Sequence, residues 1–158
     1  MSNLLNLQLM QKKPLTGVLI VGVLLAGMFL LNRKPAEFEG VRALRVTQLS
    51  ANLYEVSWES GFYNPNWLST TFEDIDLQIW IDNNPEGEVK QHIGQGIPSR
   101  KSTYFPMNVR LTGDEYARLK VTNSTEFTFT GKALFSTFGS KKEIEINKTE
   151  TLTTAASI

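Results

Sequence analysis

Apolar and polar positions follow two different rhythms along this chain. Residues 14–32 read PLTGVLIVGVLLAGMFLLN, nineteen residues without a charge. As a helix rising ~1.5 Å per residue this stretch is roughly 28 Å long, close to the ~30 Å of a bilayer's hydrocarbon core. Lys12 and Lys13 precede it and Arg33 and Lys34 follow, which places cations at both expected membrane interfaces. Pro14 suits a first helical turn, and Pro35 helps end the segment. A cleaved leader carries an apolar run of about 7–15 residues and small residues before the cut. Here the run continues through Met28, Phe29, Leu30 and Leu31, so a retained single-pass helix is expected. Leu25-Ala26-Gly27 opens like a bacterial lipobox, but Met28 stands where that motif needs Cys. Gly17, Gly22 and Gly27 are five apart, a poor fit to the G-x-x-x-G dimer face. Two bases on each side leave the orientation open. Residues 1–13 form a leucine-bearing tail, suited to lying along the membrane surface or under a neighbouring protein, or else to fraying.

After a linker at 33–40 the period changes to two, and no long helical period appears. Leu44 and Val46 are in phase over 42–48, as are Tyr54, Val56 and Trp58 over 52–59. The strongest run covers 72–82, with Ile75, Leu77, Ile79 and Ile81 on one face and Asp74, Asp76, Gln78 and Trp80 on the other. Residues 88–93 give a shorter, more polar candidate. Phe105, Met107, Val109 and Leu111 alternate over 104–111, where Pro106 argues for an edge strand. Residues 117–121 read equally as strand or short helix, the latter capped by Asp114. Phe127, Phe129, Ala133 and Phe135 alternate over 126–138, and Ile144 and Ile146 over 142–148. Turn signals at Gly61, Asn64-Pro65-Asn66, 83–87, Pro98, Gly113 and Phe138-Gly139-Ser140 separate the runs. Seven or eight strands with one apolar face each predict an antiparallel β-sandwich over 41–152, followed by a tail at 153–158.

Composition narrows the chemistry. The chain has 158 residues and no net charge, yet residues 1–34 hold four bases and no acid, leaving twelve bases against sixteen acids from 35 onward. No basic stripe suited to nucleic acid emerges beyond the flanks of the apolar run. Without cysteine there is no disulfide or thiolate site, and one histidine excludes a multi-histidine metal site.

The strand 54–58 leading into Phe62-Tyr63-Asn64-Pro65-Asn66, the long strand 75–82 with Ile97-Pro98-Ser99 and Met107-Asn108-Val109 after it, and the closing pair 127–133 and 142–146 together resemble the late-embryogenesis-abundant type 2 (water stress and hypersensitive response) domain. The resemblance covers roughly residues 41–152. It implies a fibronectin-like sandwich without catalytic activity, with roles in stress protection and at membranes. Bacterial and archaeal members on membranes often look like lipoproteins. This chain departs from them at Met28.

Individual residues carry little chemistry. Asp82-Asn83-Asn84-Pro85-Glu86-Gly87 matches the first half of an EF-hand loop, but Ile93 stands at the position that needs a bidentate Glu, so a polar hairpin turn is expected and no metal. Asp74 and Asp76 share a strand face opposite the apolar one, which predicts solvated carboxylates. His92 has no nucleophile at a recognisable motif spacing, and no G-x-S-x-G occurs. Asn123 and Asn147 open glycosylation triplets that matter only in a eukaryotic secretory setting. Phe62, Tyr63 and Trp67 flank the Asn-Pro-Asn turn and are the candidate partner-binding residues, the rival expectation being that they plug the end of the sandwich. The expectation is thus a non-catalytic single-pass membrane protein without cofactor. Its partners would be the bilayer and other proteins of a larger assembly, a bacterial envelope complex or a membrane-containing virus particle, with homo-oligomerisation left open. The alternative is a stress-protective or solute-binding domain at the membrane surface.

Overall fold

The computed structural model describes residues 34–113 and 124–153, together with Leu24, Ala26, Gly27 and Leu30. Among the described residues seven strands follow one another: β1 Glu37–Ser50, β2 Leu53–Tyr63, β3 Thr70–Ile81, β4 Asn84–Ile97, β5 Ser102–Thr112, β6 Ser124–Thr137 and β7 Ser140–Thr153. They form two antiparallel sheets, ordered β1-β2-β5 and β4-β3-β6-β7. The fourth strand lies beside the third, whereas immunoglobulin constant-type domains place it with the first, second and fifth. The predicted all-β sandwich is therefore present. The expected membrane helix at 14–32 lies outside the described residues, apart from the four named, whose backbone is helical. Among the described residues no helix is long and apolar enough to cross a membrane. Residues 1–13, Arg33, Asp114, 117–121, Asn123 and 154–158 also lie outside them.

Alternation in sequence becomes alternation in burial because successive side chains of a strand point to opposite faces. Ile75, Leu77, Ile79 and Ile81 are buried, while Asp74 and Asp76 are exposed and Gln78 and Trp80 half-buried. Phe105, Met107, Val109 and Leu111 fill the facing sheet, and β5 is an edge strand, as Pro106 predicts. On β6 the inward set Phe127, Phe129, Ala133 and Phe135 is interrupted by Gly131, which pairs with Leu77. A Cβ on Gly131 would lie 2.9 Å from the Leu77 Cα, so the close approach of β6 to β3 needs glycine there.

Two strands outrun their sequence signals. β1 begins at Glu37, inside the stretch expected as linker, because Gly40 (φ 130°) sits at a register shift and lets the strand continue past it. Ala36 is consequently buried and Phe38 packs against the core. β4 spans Asn84–Ile97 rather than 88–93; as an edge strand it buries only Val89 and Ile97, with Ile93 packed against the core. Asp82 (φ 46°) and Asn83 (φ 66°) make a two-residue hairpin turn, and the Asp82 carboxylate accepts the Glu126 N–H at 2.9 Å.

Candidate functional site: the Asn64–Asn66 end of the sandwich

The start of β1, the β2–β3 connection (64–69), the β4–β5 connection (98–101) and the β6–β7 hairpin all lie at one end of the sandwich, as the pairs Glu37↔Tyr63, Tyr63↔Ser102, Thr70↔Ile97 and Thr137↔Ser140 require. An aromatic cluster closes the core beneath them. Phe62 packs against Phe72 at 4.8 Å, Phe135 at 5.2 Å and Phe38 at 5.3 Å between ring centroids, and Phe72 stacks on Phe135 at 4.8 Å.

Above the cluster sits a hydrogen-bonded polar network in which Asn64, Asn66, Thr70 and Thr137 are all buried. The Asn64 amide donates to the carbonyls of Leu68 (2.8 Å) and Ile97 (3.0 Å). Its oxygen accepts the Asn66 N–H and the Thr70 hydroxyl, both at 3.0 Å. Thr70 and Thr137 join their hydroxyls at 2.7 Å, which ties β3 to the β6–β7 hairpin. Asn66 performs the linkage that bears on function: its amide donates to the Lys34 carbonyl at 2.9 Å and its oxygen accepts the Lys34 N–H at 3.2 Å. The side chain thereby clasps the backbone of the entering chain as a strand neighbour would. Among the described residues no buried side-chain polar atom lacks a partner, so burial of this network carries no unpaired cost.

Asn64→Ala should strip the donor from the carbonyls of Leu68, Ile97 and Pro98 and the acceptor from the Asn66 N–H and the Thr70 hydroxyl. At about 1–3 kcal/mol for a buried group left unsatisfied, the expected loss is about 3 kcal/mol, or roughly 10 °C in Tm for a sandwich of this size. Thermal unfolding of the full chain in mild detergent, followed by circular dichroism, measures it; an unchanged Tm would show that water replaces the amide without cost.

The aromatic trio expected as one partner-binding loop is divided by the fold. β2 runs through Tyr63, so Phe62 is a strand residue with 0% exposure, at the centre of the core cluster. Tyr63 is half-buried. Trp67 alone projects, 57% exposed, with the Arg100 guanidinium 3.6 Å above its ring. The end also presents Phe138, 66% exposed, which the sequence marks only as a turn. Phe138 (φ 54°) and Gly139 (φ 76°) form the two-residue β6–β7 turn. A bulky residue in that left-handed position is costly, and Asn or Gly would fill it more cheaply. A Phe at a glycine-type turn position, followed by Lys141-Lys142, is the signal that could have drawn attention to it. Of the interface cations expected from the sequence, Lys34 is described and exposed, while Lys12, Lys13 and Arg33 lie outside the described residues.

The remaining candidates sit elsewhere and hold no built site. His92 Nδ1 lies 2.8 Å from Asp74 on the solvated outer face of the four-stranded sheet, both side chains more than half exposed. Asp76, Glu88, Lys132 and Glu145 line an open groove of about 490 Å³ on that face. Hydrogen bonding to Glu88, and then the charge of Asp76, raise the Lys90 ammonium above its ordinary range, and Glu143 does the same for Lys132. These are surface ion pairs, worth little to stability.

No protein-family model matches the chain, and no curated protein is similar to it. Its fold is similar to several solved structures. A solution structure of an Arabidopsis thaliana protein superposes with a TM-score of 0.64 at 11% identity, covering 76% of this chain and 83% of that one. A crystal structure of a protein from Archaeoglobus fulgidus gives 0.54 at 11% identity, covering 75% and 98%. A solution structure described as a late embryogenesis abundant (LEA) protein gives 0.51 at 10% identity, covering 87% and 86%. At such identities the likeness shows that the chain shares their sandwich fold.

Proposed function

We infer that the chain is a single-pass membrane protein whose sandwich is a non-catalytic structural or adaptor module held against the bilayer. The observation that carries this reading is the clasp between Asn66 and Lys34. Lys34 stands two residues beyond the uncharged stretch 14–32, so the folded domain begins where that stretch ends and no free linker separates them. A domain fixed so close to an anchor is suited to holding position rather than to searching for a diffusing substrate. The site that is most fully built, the Asn64–Asn66 network, spends its polar groups on one another and on backbone, leaving none aimed at a ligand.

Mild-detergent purification of the full chain, with mass analysis of the intact eluate, tests this function. A structural or adaptor module should elute in a defined complex, with itself or with other membrane-associated proteins. A lone monomer would overturn the adaptor role. That outcome would favour the second reading, a stress-protective LEA-like domain acting alone at the membrane surface, which draws support from the fold shared with an LEA protein.

A further inference from the structure

We propose that the Asn64–Asn66 end of the sandwich is a foot that rests in the headgroup layer of an anionic bilayer, with Trp67 and Phe138 entering the interface and Lys34, Arg100, Lys101, Lys141 and Lys142 meeting lipid phosphates. The proposal rests on the membrane-anchored reading above and names the surface that Trp67 faces as lipid rather than protein.

Charge is the first argument. Segments 34–36, 64–69, 98–101 and 137–142, which build this end, contain those five bases and no acid, and the start of β1 adds two exposed carboxylates at the rim, Glu37 and Glu39, the latter accepting the Ser102 hydroxyl, so the end carries five bases against two acids. All five are exposed. Four of them belong to the twelve bases of residues 35–158, so the rest of that region, Glu37 and Glu39 set apart with this end, holds eight bases against fourteen acids. The domain is thus basic at one pole and acidic elsewhere, which orients that pole toward a negative surface.

Exposed aromatic side chains are the second. Trp67 and Phe138 are two of the three large hydrophobic residues exposed within the described part of the sandwich, and both stand among these bases. Phe138 occupies a left-handed turn position and gains no burial there, and Arg100 (φ 53°), which covers Trp67, is also left-handed. The Phe138 conformation is not repaid by burial inside the domain, since its side chain is 66% exposed. Aromatic rings with basic neighbours are the composition of membrane interfaces.

Reach is the third. Two residues of extended chain span at most about 7 Å, so Lys34 stays within that distance of Asn32. The headgroup layer on each side of the hydrocarbon core is about 5–8 Å thick. If residues 14–32 span the bilayer, the Asn66 clasp brings this end into the headgroups.

The test reconstitutes the full chain in phosphatidylcholine vesicles with and without phosphatidylglycerol, using brominated acyl chains to quench tryptophan emission. Of the three tryptophans, Trp58 is buried and Trp80 lies at the opposite end near the Asp82 turn, so interfacial quenching reports on Trp67. Quenching should be present in wild type, lost in Trp67→Phe, and weakened when Lys101, Lys141 and Lys142 are changed to Gln or phosphatidylglycerol is omitted. Phe138→Asn should raise Tm while weakening the quenching. Carbonate extraction of the same vesicles reports on the anchor separately. Retention of the chain with wild-type quenching no greater than that of Trp67→Phe would overturn the foot while leaving the anchor. Extraction of a chain whose Trp67 is still quenched would uphold the foot and overturn the anchor. Photo-crosslinking of position 67 to protein, with no quenching, would assign the surface to a protein partner and overturn the proposal.

Discussion

Ile79→Asp should unfold the sandwich outright. Ile79 has 0% exposure, and β3, which carries it, is a central strand between β4 and β6. The substitution removes a buried aliphatic side chain, worth about 2–5 kcal/mol with its cavity. It also places an unpaired carboxylate in the core, which adds several kcal/mol more. The sum meets or exceeds the ~5–15 kcal/mol by which a domain of this kind is stable. Trp80→Asp, one residue along, should be far milder. Trp80 is half-buried on the outer face and loses one hydrogen bond, from its indole to the Thr130 hydroxyl at 3.0 Å. Circular dichroism and limited proteolysis of the two variants, prepared side by side in detergent, decide the matter. Equal damage from both would mean that the outer face of β3 is covered by something beyond this chain.

The second large effect is expected in the uncharged stretch. Changing Val21 and Leu24 to Arg places two charges near the middle of residues 14–32. On the insertion scale each central arginine costs about 2.5–3.5 kcal/mol, so the pair costs roughly 5–7 kcal/mol against the stretch's apolar gain. The double variant should therefore leave carbonate-washed membranes, whereas the wild type stays. The sandwich in the released protein should keep its β-rich spectrum, because neither residue belongs to its core. Full retention of the double variant would show that the stretch is not a spanning helix.

Alternating patterns made most of the sandwich legible in the sequence. Ile75, Leu77, Ile79 and Ile81, and likewise Phe105, Met107, Val109 and Leu111, face inward as their spacing predicts, since a strand buried on one face admits only one phase. Pro106 on an edge strand and the polar turn at Asp82-Asn83 follow from equally local rules. Ser136 and Glu73, hydrogen-bonded between neighbouring strands, carry no comparable signal, because cross-strand partners far apart in sequence leave no local pattern.

Other features depend on distance in space alone. The Asn-Pro-Asn turn was visible as a turn, but its asparagines bind carbonyls at Lys34 and Ile97, more than thirty residues away in opposite directions. A loop flanked by Phe62 and Trp67 gives no sign that one ring seals the core and the other is left outside. That choice is made by β2 continuing through Tyr63 to pair with both β1 and β5, which turns Phe62 inward. Lys34, Arg100, Lys101, Lys141 and Lys142 are scattered along a chain of zero net charge and form no motif. Antiparallel pairing brings the loops that carry them to one end, and the basic pole exists only once those strands have closed.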